Sequence, residues 1–175
     1  MQRPIIQDPT SSLRNRAKEL NQNVITTPAV QTIIRDLKDT LAVSEDGIGI
    51  AAPQIGESKR IFIVSEEAKF VGKPHDEKKH WASLVYINPI VTKKSRTRID
   101  GVEGCLSVPG KFGVVTRHEK ISIEAINEHG KKVAHGATKF FARVIQHELD
   151  HLDGVLFIDK AKRFVEATKD SDEKL

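Results

Sequence analysis

The stretch Gln146–Gly154 reads Q-H-E-L-D-H-L-D-G, and the fold is best read outward from it. His147 and His151 stand four positions apart, which on an α-helix puts both imidazoles on one face, close enough to bind one metal ion. Glu148 lies between them, where it can take a proton from a water that the ion activates. The spacing therefore predicts a metal-binding helix that carries a general base, the core of a metallohydrolase.

The surrounding sequence favours a helix that ends soon after the second histidine. Apolar residues recur at spacings of three and four, at Phe141, Val144, Ile145, Leu149 and Leu152. Gly154 follows the last of them and can terminate the helix. The alternative is a chance H-E-x-x-H on a solvated helix, and two histidines alone are one ligand short of a catalytic zinc-like site.

The single cysteine, Cys105, is the best candidate for the third ligand. Gly101 and Gly104 precede it and Pro109 follows, which favours a tight, shaped segment over a regular strand. The alternative is a small buried thiol. A cysteine with two histidines would leave a fourth metal position open for water.

A third segment, Gly47–Gln54, reads G-I-G-I-A-A-P-Q and has little side-chain bulk. Its backbone can therefore run close to another molecule. It lacks the third glycine of a dinucleotide loop and the G-K-[ST] of a phosphate loop. The alternative is an ordinary glycine turn with Gln54 on the surface.

Together the three segments resemble the peptide deformylase family, which is recognised by G-x-G-x-A-A-x-Q, E-G-C-L-S and Q-H-E-x-D-H in that order. Here they are Gly47–Gln54, Glu103–Ser107 and Gln146–His151. The resemblance implies an α+β fold in which antiparallel or mixed β-sheets pack around a central metal-binding helix. We expect one catalytic domain over residues 1–160 and a charged C-terminal extension, helix or tail, over 161–175.

The resemblance also assigns roles in removing the formyl group from the N-terminal methionine of new polypeptides, with release of formate. The implied metal ligands are Cys105, His147 and His151. Glu148 is the implied base, and the Gln54 amide and the Leu106 backbone N–H are the implied donors to the oxyanion. Fe(II) is the expected metal, and Zn(II), Ni(II) and Co(II) are its substitutes.

Substrate contacts are implied at Gly47, Ile48 and Gly49, of which Gly49 binds the peptide backbone. Ile48, Ile145 and His147 are expected to wall the methionine pocket. Phe112 stands where several bacterial members have an arginine, so apolar substrates are favoured beyond the first residues. Glu103 and Arg117 are similar to a buried acid–base pair of the family, the alternative being a surface ion pair. Asp150 and Gln146 are candidates to orient a ligand imidazole.

Charge and hydropathy narrow the setting. With 28 basic and 24 acidic residues the net charge is +4, which predicts an evenly solvated surface and no sequence-specific binding of nucleic acid. The chain has no apolar run as long as a membrane span and no secretory signal at its start, so we expect a cytoplasmic protein. An organelle matrix is the alternative if a transit peptide has been removed. The expected partners are formyl-methionyl nascent chains and, through the C-terminal extension, the ribosome surface.

Apolar patterns elsewhere predict further elements. The stripe Val30–Leu41 indicates a helix, and 61–64, 121–125 and the chain from Val133 indicate strands. A strand over 84–91 contains Pro89, which suggests a sheet edge or a bend. The polar stretch between Ser65 and Ser83 is expected to be a surface loop, in which His75 and His80 are solvent histidines rather than ligands.

Two rival functions follow from the same helix. A zinc peptidase would take a downstream acid as its third ligand, for which Asp159 is the candidate. A non-catalytic protein with a structural metal would need a fourth protein ligand, and the chain has no second cysteine to supply one.

Overall fold

Two antiparallel β-sheets and two α-helices form the framework of the described residues. A computed structural model of the protein describes residues 1–44, 47–72 and 81–166. The helices are α1 (Pro28–Ala42) and α2 (Lys139–Leu152). The strands are β1 (Gly49–Ala51), β2 (Ile61–Ser65), β3 (Ser83–Lys94), β4 (Arg98–Glu103), β5 (Phe112–His118), β6 (Lys120–Ile126), β7 (Lys132–Thr138) and β8 (Arg163–Val165). The α+β class predicted from sequence is confirmed.

The larger sheet has the order β1-β2-β3-β6-β7, and its two faces bury different helices. Strand β2 alternates between them: Ile61 and Ile63 belong to the apolar cluster of α1, while Phe62 and Val64 belong to that of α2. Because both faces are covered, the strand is apolar throughout. The sheet therefore holds α2 in place from one side.

Helix α2 is amphipathic and ends where the sequence predicts. Its last turn closes with the Gly154 N–H bonded to His151 O (3.2 Å) and the Val155 N–H bonded to Asp150 O (2.9 Å). This is the Schellman pattern, and it needs the positive φ of +74° that Gly154 adopts. The sharp stop leaves His151 in the final turn of the helix.

The smaller sheet has the order β4-β5-β8 and carries the cysteine loop at the end of β4. Strand β8 pairs antiparallel with β5, so the chain after residue 160 begins as a strand and not as the helix or tail expected there. Residues 167–175 of that extension lie outside the described residues. The domain boundary at residue 160 stays a prediction.

Strand β3 departs from the sequence expectation, because Pro89 lies in the middle of the sheet and not at its edge. The register with β6 shifts between Ile87 and Ile90, so a bulge accommodates the missing N–H. Asn88 takes a φ of +49°, and its side chain bonds both the N–H and the carbonyl of Leu20. The expected bend is present, and the expected edge is wrong.

The expected loop between Ser65 and Ser83 begins with a 3-10 helix, Glu66–Lys69. His75 and His80 lie outside the described residues. No helix among residues 1–44, 47–72 and 81–166 has both the length and the apolar character needed to cross a membrane.

Candidate metal centre

Three side chains from two parts of the fold meet at one point. His147 and His151 are one turn apart on α2, with ring centroids 4.9 Å from each other. Cys105, in the loop that follows β4, brings its Sγ to 3.2 Å from Nε2 of His151. One ligand atom from each of the three residues lies within 4.8 Å of the others. A single ion can therefore be reached by all three.

The chemistry of these donors suits a borderline transition metal. A thiolate with two imidazoles is the type of set that holds zinc or ferrous iron, whereas calcium and magnesium prefer oxygen. His151 is buried, and its pKa is lowered well below the usual value by that burial and by the neighbouring His147 charge. It is therefore kept neutral, the form in which an imidazole binds metal.

His147 is oriented by a glutamate from β4. Nδ1 of His147 lies 3.0 Å from a carboxylate oxygen of Glu103, which leaves Nε2 as the nitrogen free for a ligand. Burial lowers the pKa of His147, but hydrogen bonds with Cys105 and Glu103 raise it by more, to about 10. The expectation that Asp150 or Gln146 orients a ligand imidazole is wrong: Asp150 pairs with Arg117 and Lys160, and Gln146 bonds the backbone of His118.

Glu103 is itself held by two buried arginines. Arg117 donates from Nε and Nη2 to its two oxygens at 2.8 Å each, and Arg143 donates to one of them at 2.8 Å. The expected Glu103–Arg117 pair is thus buried and not a surface pair. Arg143 was not predicted, and the available signal was a cation within the apolar stripe of α2.

Arg143 also binds the backbone of the smaller sheet. It donates to the carbonyls of Ile99, Gly101 and Val115 at 2.8 to 3.2 Å. A side chain on Gly101 would collide with it, since an added Cβ would lie 2.7 Å from its guanidinium. Arg143 therefore fastens β4 and β5 to the helix that carries the histidines.

Glu148 is buried beside the ligands and only 3% exposed. Its Oε2 has no hydrogen-bond partner among the described residues. Burial raises its pKa to about 7, near the pH at which a general base works best. Gly49 leaves room for it, because an added Cβ there would lie 2.6 Å from Oε1.

Gln54 enters the site from the 3-10 helix Ala52–Ile55 after β1. Its Oε1 accepts a hydrogen bond from the Ala51 N–H (2.8 Å), which directs Nε2 toward Ser107 Oγ (3.1 Å) and Cys105 Sγ (3.7 Å). Gln54 is 2% exposed, so it is not a surface residue of a glycine turn. Its amide N–H groups thus point into the metal site.

A cavity of about 650 Å³ opens onto this cluster. Gly47, Ile48 and Gly49 line one side, and Cys105 and Leu106 line another. Val144 and Phe140 of α2 complete the apolar wall, together with Phe112. Ile145, expected as a wall of the pocket, is instead fully buried in the core.

Comparison with known proteins is consistent with this geometry. The family model described as polypeptide deformylase matches residues 2–167. A peptide deformylase of Desulforudis audaxviator is 38% identical over 157 residues, which cover 90% of this chain and 92% of that protein. Peptide deformylase 2 of a Nostoc species is 40% identical over 162 residues, covering 91% of this chain and 86% of its own.

Solved structures give the same result. A class I type b peptide deformylase of Acinetobacter baumannii, crystallised with Met-Ala-Ser bound, superposes with a TM-score of 0.79 at 30% identity. That match covers 91% of this chain and 98% of the other. The peptide deformylase of Thermotoga maritima matches with a TM-score of 0.78 at 30% identity, over 93% of this chain and 99% of its own.

Proposed function

This chain belongs to the polypeptide deformylase family, and from that premise we propose which of its residues perform the reaction. The family hydrolyses the formyl amide at the N-terminal methionine of new polypeptides, and formate is released. The observation that carries the assignment is the cluster of Cys105, His147 and His151 beside a buried carboxylate without a partner, Glu148. We propose these three side chains as the metal ligands and Glu148 as the general base.

The metal itself is proposed to be Fe(II). When bound, such an ion supplies Lewis acidity, which makes a water more acidic and a carbonyl more electrophilic. Zn(II), Ni(II) and Co(II) suit the same donors and are the proposed substitutes. Equal turnover of protein loaded anaerobically with Fe(II) and protein loaded with Zn(II) would contradict the choice of iron.

Glu148 would move the protons of the reaction. With a pKa near 7 it can accept the proton of the attacking water and then give it to the leaving amine. Gly49 keeps the space in which its carboxylate sits. Both transfers require the carboxylate to be unpaired with other side chains, as its free Oε2 is among the described residues.

Gln54 and Leu106 would stabilise the tetrahedral oxyanion. The Gln54 amide is held with its N–H groups facing the site, and a neutral amide donates without titrating. We expect Gln54→Leu to lower kcat/KM by about 10²- to 10³-fold, or roughly 3 kcal/mol, as for other oxyanion donors. Near-full turnover by a metal-loaded Gln54→Leu protein would remove that role from Gln54.

The substrate would lie along Gly47, Ile48 and Gly49. Strand β1 is at the edge of its sheet, so its side away from β2 is available to pair with an extended peptide. The apolar cavity beside it would take the methionine side chain. Phe112 gives the outer part of the cavity an apolar wall, so we propose a preference for apolar residues after the methionine.

We also propose that the protein meets its substrates in the bacterial cytoplasm, at the ribosome surface where formylated chains emerge. The relatives described above support the bacterial setting. Cosedimentation of the protein with ribosomes at low salt is the test, and its absence would contradict the ribosomal part.

The ligand set has a direct test in two matched variants. Cys105→Ala should lose the bound metal, and Asp159→Ala should keep it. Asp159 is engaged elsewhere, where it accepts a hydrogen bond from the Leu156 N–H (2.9 Å) and pairs with Arg14. Metal retained by Cys105→Ala and lost by Asp159→Ala would favour a peptidase-type ligand set.

A further inference from the structure

A second cavity, of about 810 Å³, lies on the face of α2 that the metal ligands do not use. Helix α2 contributes Gln146, Leu149 and Asp150 to it, the positions between and beside the ligands that point away from the metal. The ends of β3, β4 and β5 form the other walls, together with the chain that leads into β8. We call this the basic cleft.

The basic cleft accounts for the positive charge of the chain. Its lining contains six lysines and arginines, Arg60, Lys94, Arg98, Arg117, Lys160 and Lys162, against the two aspartates Asp150 and Asp153. Taking these away from the chain's 28 basic and 24 acidic residues leaves 22 of each. The expectation of an evenly distributed basic surface is therefore wrong.

The cations at the bottom of the cleft are already paired. Arg60 is 7% exposed and bonds Asp153 at 2.8 Å, while Arg117 is 4% exposed and bonds Glu103 and Asp150. Because these charges are neutralised, a small anion seated deep in the cleft would gain little from them.

The free charge lies at the mouth. Lys94 and Arg98 are exposed, and neither has an acidic partner among the described residues. Lys160 and Lys162 lie on the opposite rim and share their charge with Asp150 and Asp100. Beyond the rim, residues 92–99 hold two more cations and no acid. Positive charge is therefore spread along the mouth and not focused at one point.

From this arrangement we propose that the basic cleft binds the phosphodiester backbone of RNA, independently of base sequence. A strand places its charges at intervals, which matches cations along a rim. The lining has no Phe, Tyr or Trp among the described residues, so it offers no platform for stacking bases. The choice of RNA over DNA rests on the family's role in protein synthesis. The cleft would also give the proposed ribosomal contact a defined surface.

The test compares two double variants that lose the same charge. Lys94→Ser/Arg98→Ser removes the free cations of the cleft, and Lys131→Ser/Lys132→Ser removes two exposed lysines at the β6–β7 turn. Binding of an oligouridylate of about 16 nucleotides to the metal-loaded protein is measured over a range of salt concentrations. Turnover of a formyl-methionyl peptide is measured on the same samples.

We expect the cleft variant to bind RNA at least about tenfold more weakly at low salt, with a salt slope smaller by about 2, one for each lost phosphate contact. The control variant should bind like the unchanged protein, and all three should turn over the peptide equally. Equal weakening in both variants would overturn the proposal, since it would reveal only general charge attraction. No RNA binding at low salt would overturn it too, as would binding of inorganic phosphate or anionic lipid vesicles in place of RNA. Because peptide turnover is recorded separately, failure of the catalytic assignment would be distinguished from failure of the cleft.

Discussion

Two buried glutamates flank His147, and their surroundings give them opposite properties. Burial raises the pKa of Glu103, but Arg117 and His147 lower it by more, to well below its usual range. Glu148 has no such partner among the described residues, and burial raises its pKa to about 7. One carboxylate is therefore fixed as an anion that orients a ligand, and the other is free to exchange a proton. Such divergent pairs are typical of acid–base sites.

Gly49→Ala should impair catalysis without removing the metal. The new Cβ would displace the Glu148 carboxylate, and a misplacement of that kind costs about 10²-fold in rate. The measurements are kcat/KM and metal content, with Gly136→Ala as the control, because an added Cβ there meets its nearest atom at 3.9 Å. If the loss acts through Glu148, Gly49→Ala adds little to Glu148→Ala. Full additivity of the two losses would contradict this mechanism.

At the scale of elements, the site depends on how the β4–β5 hairpin is fastened to α2. Arg143 is 6% exposed and joins Glu103 to three backbone carbonyls of the hairpin region. Cys105 follows β4 directly, so the hairpin sets the distance between the thiol and the histidines. A change at Arg143 should therefore be felt in stability before it is felt in chemistry.

Arg143→Met should destabilise the protein by about 3 to 5 kcal/mol, the usual cost of removing one partner from a buried ion pair. The free energy of unfolding in denaturant measures it. Arg96→Met removes an exposed arginine and should change stability by no more than about 0.5 kcal/mol. If the two substitutions had the same effect, Arg143 would not be the fastening of the hairpin.

Local spacing accounts for much of what the sequence predicted. Helical periodicity placed His147 and His151 on one face, and the rarity of cysteine singled out Cys105. The partner of His147 could not be found in this way. Its neighbours Gln146 and Asp150 point into the basic cleft, while Glu103 reaches it from a distant strand through packing alone. Pro89 was misplaced for a similar reason, since a bulge that tolerates it is a property of the paired strands.

For the molecule as a whole, α2 separates two working surfaces. One face carries the metal ligands and the apolar cavity, and the other faces the basic cleft. The metal would link the smaller sheet, through Cys105, to the helix held by the larger one. Binding of the ion should therefore stabilise the entire domain, since it joins parts that are distant in the chain.

Removal of the metal by a chelator should lower the melting temperature by about 10 °C. An ion present at roughly a thousand times its Kd contributes about 4 kcal/mol, and each kcal/mol shifts a domain of this size by about 2 to 4 °C. Calorimetry with and without chelator gives the shift. Cys105→Ala should show none, so a chelator effect of equal size in that variant would place the ion elsewhere.

The most direct test of the central claim is turnover of an N-formyl-methionyl peptide and its N-acetyl twin by anaerobically prepared Fe(II) protein and by Glu148→Ala. We expect the unchanged protein to cleave the formyl peptide alone. Glu148→Ala should keep its metal and lose that cleavage. Full turnover by metal-loaded Glu148→Ala, or equal cleavage of both peptides, would contradict the assignment of Glu148 and of a site selective for the formyl group.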